Sequence, residues 1–416
     1  MQTKLAESIR ETPRGKEADG ILRTCVHCGF CNATCPTYQL LGDELDGPRG
    51  RIYLIKQMLE GHTATARTQR HLDRCLTCRA CETTCPSGVE YGRLFDIGRA
   101  MVEQKVARPW LDRLRRRLLR MVLPYPNRLA PLVLLGRAIR PLLPPTARRK
   151  IPSGQPRSNW PTTAHSRTML MLDGCVQPVL APNIDAAAAR VLDRLGIRPL
   201  RAAGSGCCGA LSHHLAAHEE GLHFMRRNID AWWPHIEQGA EAIVTTASGC
   251  GVMLKEYGRL LQNDSDYAGQ AAQVSTLARD IGEIVAAEDL PRLAATDRAK
   301  IAFHAPCTLQ HGQRLNGCVE RILTNLGFRL TAVTDSHLCC GSAGTYSILQ
   351  KGLSVRLLKN KVDALETGDP DIIATANIGC VLHIRSATEL PVVHWIELLD
   401  KESRVEARAA IDVGCR

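Results

Sequence analysis

Cys25-Val-His-Cys28-Gly-Phe-Cys31-Asn-Ala-Thr-Cys35-Pro36 and Cys75-Leu-Thr-Cys78-Arg-Ala-Cys81-Glu-Thr-Thr-Cys85-Pro86 decide how this chain begins to fold. Each run reads C-x2-C-x2-C-x3-C-P. That spacing wraps three thiolates around one [4Fe–4S] cube and sends the fourth to a neighbouring cube. Zinc sites use paired C-x2-C hooks and close with four ligands, so a third step within one run is superfluous for zinc. A disulfide framework suits a small secreted domain, whereas this chain has 416 residues and opens on a mixed-charge stretch that does not read as a secretory leader. The crossover rule predicts one cluster on Cys25, Cys28, Cys31 and Cys85, and a second on Cys75, Cys78, Cys81 and Cys35. Pro36 and Pro86 fix φ after the last ligand of each run and turn the chain away.

Between the runs, Asp46-Gly-Pro-Arg-Gly-Arg51 reads as a turn, and Ile52, Ile55, Met58 and Leu59 then repeat at helical spacing. The long insertion predicts a helical two-cluster ferredoxin domain over residues 1–105, with Arg49 and Arg51 as structural or cluster-flanking charges. Eighteen cysteines point to a reducing compartment. The apolar stretch Leu129 to Gly136 is far too short to span a bilayer, so the expectation is a soluble or peripheral protein.

The net charge of +11 is concentrated. Residues 107–150 hold twelve basic residues, one acid (Asp112) and seven prolines, which carries the whole excess. Leu111, Leu114, Leu118 and Met121 share one helical face, with Arg113, Arg116, Arg117 and Arg120 elsewhere. Two readings stand for this basic, proline-rich helical linker, residues 106–165. It packs on its own protein, or it docks on a membrane or a partner. No nucleic-acid-binding motif accompanies the charge, so nucleic acid is not an expected partner.

Beyond the linker the chain repeats itself. Cys175, the pair Cys207-Cys208-Gly209 and Cys250 recur as Cys307, Cys339-Cys340-Gly341 and Cys380. The first cysteine precedes the pair by 32 residues in both copies, and the last follows it by 42 and 40. Apolar runs end near the first and last cysteine of each copy and alternate with helical stretches, which predicts parallel α/β packing. The expected lobes are residues 166–290 and 291–416, pseudo-symmetric, with their cysteines at strand ends facing a shared cleft. Four thiols per repeat suit a further iron–sulfur cluster or a redox dithiol. Gly209 and Gly341 are expected to allow a sharp turn where a Cβ would intrude on a cluster or cofactor. His213, His214, His304, His311 and His337 lie near these cysteines as candidate proton carriers. Cys318 and Cys415 have no repeat partner and read as ordinary residues.

Paired ferredoxin runs followed by two CCG repeats resemble the iron–sulfur electron-transfer subunits of membrane-associated flavin dehydrogenases. The segments Gly42 to Gly61, Asp173-Gly-Cys-Val-Gln-Pro178 and Cys339-Cys-Gly-Ser-Ala-Gly-Thr-Tyr-Ser347 look most like the iron–sulfur subunits of bacterial glycolate oxidase (glycolate dehydrogenase). The resemblance implies an α+β multidomain chain and an iron–sulfur subunit that is not catalytic alone. Partner subunits carrying FAD would oxidise glycolate, and possible further substrates include D-lactate. Electrons would pass through two [4Fe–4S] clusters, and a further one in the repeats, to a quinone or other membrane acceptor. The implied location is cytoplasmic, peripheral on the inner membrane. The alternatives are a related glycerol 3-phosphate or lactate dehydrogenase subunit, or a heterodisulfide-reductase-like thiol/disulfide enzyme. Against the last, each repeat ends on a single cysteine rather than C-x-x-C. No catalytic base motif for hydride chemistry appears, which agrees with hydride chemistry on another polypeptide.

Overall fold

The computed structural model describes residues 1–144, 148, 151, 154, 159–289, 293 and 299–400. Cys415, the last residues of the second repeat and parts of the linker therefore lie outside the described residues. The chain forms two compact units, residues 1–117 with 337–361, and residues 118–336 with those from 362 onward.

The first unit is helical over residues 1–105, with no strand among its described residues. Thr12 caps the helix Pro13–Thr24 by accepting from the Gly15 N–H, which satisfies one of the donors a helix start leaves open. Pro48, expected in a turn, is instead the first residue of the helix Pro48–Leu59; proline suits that position because no N–H is needed there. Ile52, Ile55, Met58 and Leu59 face inward from it, onto Leu94, Phe95 and Val102 of the helix Tyr91–Lys105. Each such fully buried aliphatic side chain contributes about 1.5–3 kcal/mol. Gly98 lets the two helices approach, since a Cβ there would lie 2.5 Å from Ile55 Cγ1.

The linker forms the helices Trp110–Val122 and Pro126–Ile139. The first of these is docked by its charged side. Arg116 is buried, pairing with Asp112 at 3.0 Å and Asp73 at 3.4 Å. Just before the helix, buried Arg108 holds Asp73 at 2.7 Å and Glu103 at 2.6 Å. Leu111, Leu114, Leu118 and Met121 are exposed instead. The segment thus packs on its own protein through Arg116, while its apolar face is left to solvent.

The second unit holds two four-stranded parallel sheets. In the first, β1 (Arg167–Met171), β2 (Ile197–Arg201), β3 (Ile243–Thr245) and β4 (Ala278–Asp280) lie in the order β2-β1-β3-β4. In the second, β5 (Lys300–His304), β6 (Arg329–Leu330), β7 (Ile372–Thr375) and β8 (Val392–His394) lie in the order β6-β5-β7-β8. The shared order is the structural form of the sequence repeat. A common core joins the lobes, with Ile184 and Val191 of the first and Trp395 and Ile396 of the second in one buried cluster. The loops leaving β3 and β7 bond directly, Ser248 N–H donating to Ala376 O at 3.2 Å. His394, at the end of β8, places Nε2 2.8 Å from Thr246 O. Burial holds this histidine low, at about 4, so the neutral ring is the form that fits.

Candidate metal centres

Both ferredoxin runs have the same backbone shape. His27 and Gly29 adopt φ of 61° and 88°, and Thr77 and Arg79 adopt 52° and 60°. Left-handed residues two and four positions after the first cysteine curl each loop so that three thiols face one point. For His27, Thr77 and Arg79 that conformation is uncommon, and it recurs at matching positions in both runs. One short helical turn, Phe30–Ala33 or Ala80–Thr83, follows each loop.

Two cavities result. One is bordered by Cys25, Cys28, Cys31 and Cys85. The other is bordered by Cys35, Cys75 and Cys78, with Tyr91 between the two. Cys81 borders both, but the thiols that act on it are Cys78, Cys75 and Cys35, which places it with the second set. So the fourth cysteine of each run reaches the loop of the other. Burial pushes the Cys31 thiol up to about 11, and the nearby Cys25, Cys85 and Cys28 add to that. Burial and the same kind of crowding raise Cys81 well above the ordinary thiol range. Four crowded thiols resist losing their protons together, and a cationic iron core relieves that repulsion. Donor chemistry, count and convergence all fit a [4Fe–4S] cube in each cavity.

The surroundings of the cavities differ. Beside the first, Cys28, Val26 and Phe30 are exposed, and Arg49 pairs with Glu44 at 2.6 Å in a half-exposed surface bridge. Beside the second, Arg51 is 1% exposed. Its Nη1 lies 4.0 Å from Cys35 Sγ, its Nη2 donates to Thr37 Oγ1 at 3.1 Å, and its Nε donates to His71 O at 2.9 Å. Its counterion is the fully buried Asp46 at 3.6 Å, which also holds Arg74 at 2.7 Å and His71 Nδ1 at 3.0 Å. The Tyr91 hydroxyl lies 3.5 Å from Cys75 Sγ. Asp46, His71 and Tyr91 carry no cysteine-like spacing, and the sequence pattern did not single them out.

In the first CCG repeat all four cysteines come together. Cys175 follows β1 and Cys250 follows β3, the strands flanking the point where the sheet order reverses, which is where such sheets collect ligands. Cys207 accepts hydrogen bonds from Cys175 and Cys208 and is held well below the ordinary thiol range. Cys208 also meets Cys250, and it is pushed up, as is Cys175. The Cys-Cys loop is pinned from behind. Asn228, fully buried, donates to Cys207 O at 2.9 Å and accepts from Gly206 N–H at 2.9 Å. The Tyr257 hydroxyl donates to Cys208 O at 2.9 Å. His213 lies 3.3 Å from His218 through their Nδ1 atoms and stacks edge-on with His214. The set fits a four-thiolate cluster or a redox dithiol.

In the second repeat, Cys307 follows β5 and Cys380 follows β7, both in the second unit, with His304 buried at the end of β5 and His311 buried in the turn Thr308–Gly312. Asn377 Nδ2 lies 3.7 Å from Cys380 Sγ. The pair Cys339-Cys340, with His337, belongs to the first unit. There the Tyr346 hydroxyl donates to Arg74 O at 3.1 Å and Arg356 donates to Leu40 O at 3.0 Å. Besides making the turn expected of them, the two CCG glycines lie close to the backbone of a later helix. A Cβ on Gly209 would lie 2.7 Å from Gly221 O, and one on Gly341 2.8 Å from Ser354 O, so what it would strike is the backbone of the following helix. Both adopt positive φ, 86° and 85°. Cys318 is buried, with its Sγ 3.5 Å from Gly282 O.

Comparison with known proteins agrees with this organisation. Residues 21–89 match the 4Fe-4S dicluster domain, and residues 169–255 and 301–385 each match the cysteine-rich CCG domain. The chain is 58% identical over 405 residues to the glycolate oxidase iron-sulfur subunit of Escherichia coli K12, covering 96% of this chain and 99% of that one. It is 28% identical to the probable glycolate oxidase iron-sulfur subunit of Bacillus subtilis 168, covering 95% and 97%. Lactate utilization protein A of Bacillus velezensis is 28% identical over 54% of this chain and 96% of its own. Among solved structures, a hypothetical protein from Helicobacter pylori shares the fold, with a TM-score of 0.54 at 9% identity over 96% of this chain and 74% of that one.

Proposed function

The chain belongs to the family of glycolate oxidase iron–sulfur subunits, and on that premise we propose that it is the electron-transfer subunit of a glycolate oxidase complex. Partner subunits carrying FAD oxidise glycolate to glyoxylate, and this chain relays the electrons to a quinone or other membrane acceptor. The observation that supports this reading best is the pair of adjoining four-cysteine cavities with crossed contributions. Bound there, two [4Fe–4S] clusters supply one-electron chemistry, which divides the two electrons of a flavin hydride.

The residues of the chain hold and tune that path. Cys25, Cys28, Cys31 and Cys85 hold the centre whose rim is exposed at Cys28, where a partner can approach. Cys75, Cys78, Cys81 and Cys35 hold the deeper one. Tyr91 and Pro48 line both cavities and form the wall between them. Cys175, Cys207, Cys208 and Cys250, all within the second unit, supply a further iron–sulfur or redox centre.

No helix among the described residues is long and apolar enough to cross a membrane. We place the chain peripherally on the cytoplasmic face of the inner membrane. The helix Trp110–Val122 supports this, since it turns Leu111, Leu114, Leu118 and Met121 outward with exposed Arg113, Arg115 and Arg117 alongside. Apolar residues bordered by arginines suit an anionic lipid surface. The test is reconstitution. The purified chain alone should leave glycolate unoxidised with an artificial dye, and adding the flavin-bearing subunits should give activity that depends on the chain. Turnover by the chain alone would overturn the reading.

A further inference from the structure

The two ferredoxin cavities are built from the same motif, yet they meet different charges. At the Cys25 cavity the nearest guanidinium, Arg49, is largely neutralised by Glu44, and both side chains are a third or more exposed to water. Water screens what remains. At the Cys75 cavity, two guanidinium groups, Arg51 and Arg74, face one carboxylate, Asp46. That leaves one positive charge in excess, with Arg51 and Asp46 sealed from solvent and Arg74 at the edge of the network. Arg51 is at the sulfur itself, 4.0 Å from Cys35 Sγ, and its Nη2 and Nε donate to Thr37 Oγ1 and His71 O, which holds it in place.

Reducing a cluster adds one negative charge. Burial alone disfavours that charge and lowers the potential. A fixed cation a few ångströms from a ligand sulfur favours it, and the interaction is strong because little water intervenes. The screened Arg49–Glu44 pair offers no such compensation. Position matters as well as energy. Tyr346, seven residues beyond Cys339 in the same compact unit, donates to the backbone oxygen of Arg74. The charges that act on Tyr346 include Arg51, Cys75 and Cys339. The cavity that carries the buried arginine is thus the one beside the CCG segment.

We propose that Arg51, backed by Arg74, makes the cluster of Cys75, Cys78, Cys81 and Cys35 the higher-potential member of the pair, so that electrons settle on the side of the module that carries Cys339. The proposal rests on the reading of both cavities as [4Fe–4S] sites. Arg51 is a tuning residue, since it touches a ligand and not the transferred electron. Its role is set by charge, so lysine should substitute in part and glutamine should not. Lysine keeps the charge but loses the planar fork.

The experiment is a potentiometric titration of the anaerobically purified full chain followed by electron paramagnetic resonance. Cys35→Ser identifies which signal belongs to the Cys75 cluster. In the wild type that signal should titrate at the higher potential. In Arg51→Gln it should move down by at least tenfold in the oxidised-to-reduced ratio, which is 59 mV for one electron, while the other signal stays in place. Arg51→Lys should move it less. An unchanged midpoint, an equal shift of both signals, or lysine behaving as glutamine would overturn the proposal. If Arg51→Gln does not retain its iron, Arg74→Gln carries the same test, because it removes the half-exposed charge and leaves the buried pair; it should shift the same signal in the same direction, and no shift would overturn the proposal. A wild type with fewer than eight iron atoms would defeat the cluster reading itself, whereas a full iron count with unmoved midpoints would defeat only the role of Arg51.

Discussion

The two ferredoxin loops share every ligand spacing and left-handed residues at the same positions, and they differ in almost everything that surrounds them. Around Cys28 the chain is open, with Val26 and Phe30 exposed and a surface ion pair alongside. Around Cys35 it is closed, with Arg51, Asp46 and His71 buried in one network. The motif determines what is bound. The neighbourhood determines how the bound centre behaves, and at which side electrons arrive and leave.

The largest effect should come from breaking the crossed ligation. Cys35→Ser should remove the cluster shared with Cys75, Cys78 and Cys81, lower the iron content by about half, and spare the cluster nearer in sequence. Iron analysis with spectroscopy of the variant checks this, and loss of the Cys25-centred signal instead would reverse the assignment.

Stability offers the next contrast. Asp46→Ala strands Arg51 as an uncompensated buried charge and should cost about 3–5 kcal/mol. Glu44→Ala, which breaks the surface pair at the other cavity, should cost about 0–1 kcal/mol. Denaturant midpoints of the two variants, measured anaerobically, decide it. Equal losses would mean that the two environments are less different than their burial indicates.

The smallest effect sharpens the electronic side of the comparison. Tyr91→Phe removes the hydroxyl beside Cys75 Sγ and keeps the ring that packs against Phe95. The potential of the Cys75 cluster should fall by about two- to tenfold in the oxidised-to-reduced ratio, the scale of one neutral hydrogen bond. The Cys25 cluster should not move. A shift at the Cys25 cluster alone would show that the hydroxyl serves the other centre.

Much of this architecture is legible in the residues. The doubled C-x2-C-x2-C-x3-C-P runs announce two clusters, and the in-register cysteines from Cys175 to Cys380 announce two lobes of the same topology, because both signals are periodic along the chain. What the sequence hides depends on contacts between distant segments. Arg49 and Arg51 stand two residues apart and look alike, yet one is at the surface and the other is sealed beneath His71 and Asp46. Asn228 and Tyr257 hold the first Cys-Cys loop from separate helices and follow no spacing rule. The helix Trp110–Val122 is amphipathic in sequence, but periodicity alone does not say which face turns inward. Asp73, far away in the chain, recruits its Arg116 and, just before the helix, Arg108. Gly209 and Gly341 were legible as turn glycines, whereas the helix backbone that excludes a side chain there was not.

The most direct test of the account is the metal content of the full chain purified without oxygen. The account predicts at least eight iron atoms with matching acid-labile sulfide, and two distinct [4Fe–4S] signals on reduction, each lost with its own set of four cysteines. Zinc in place of iron, or a single cluster that survives loss of Cys35 and Cys85 alike, would contradict it.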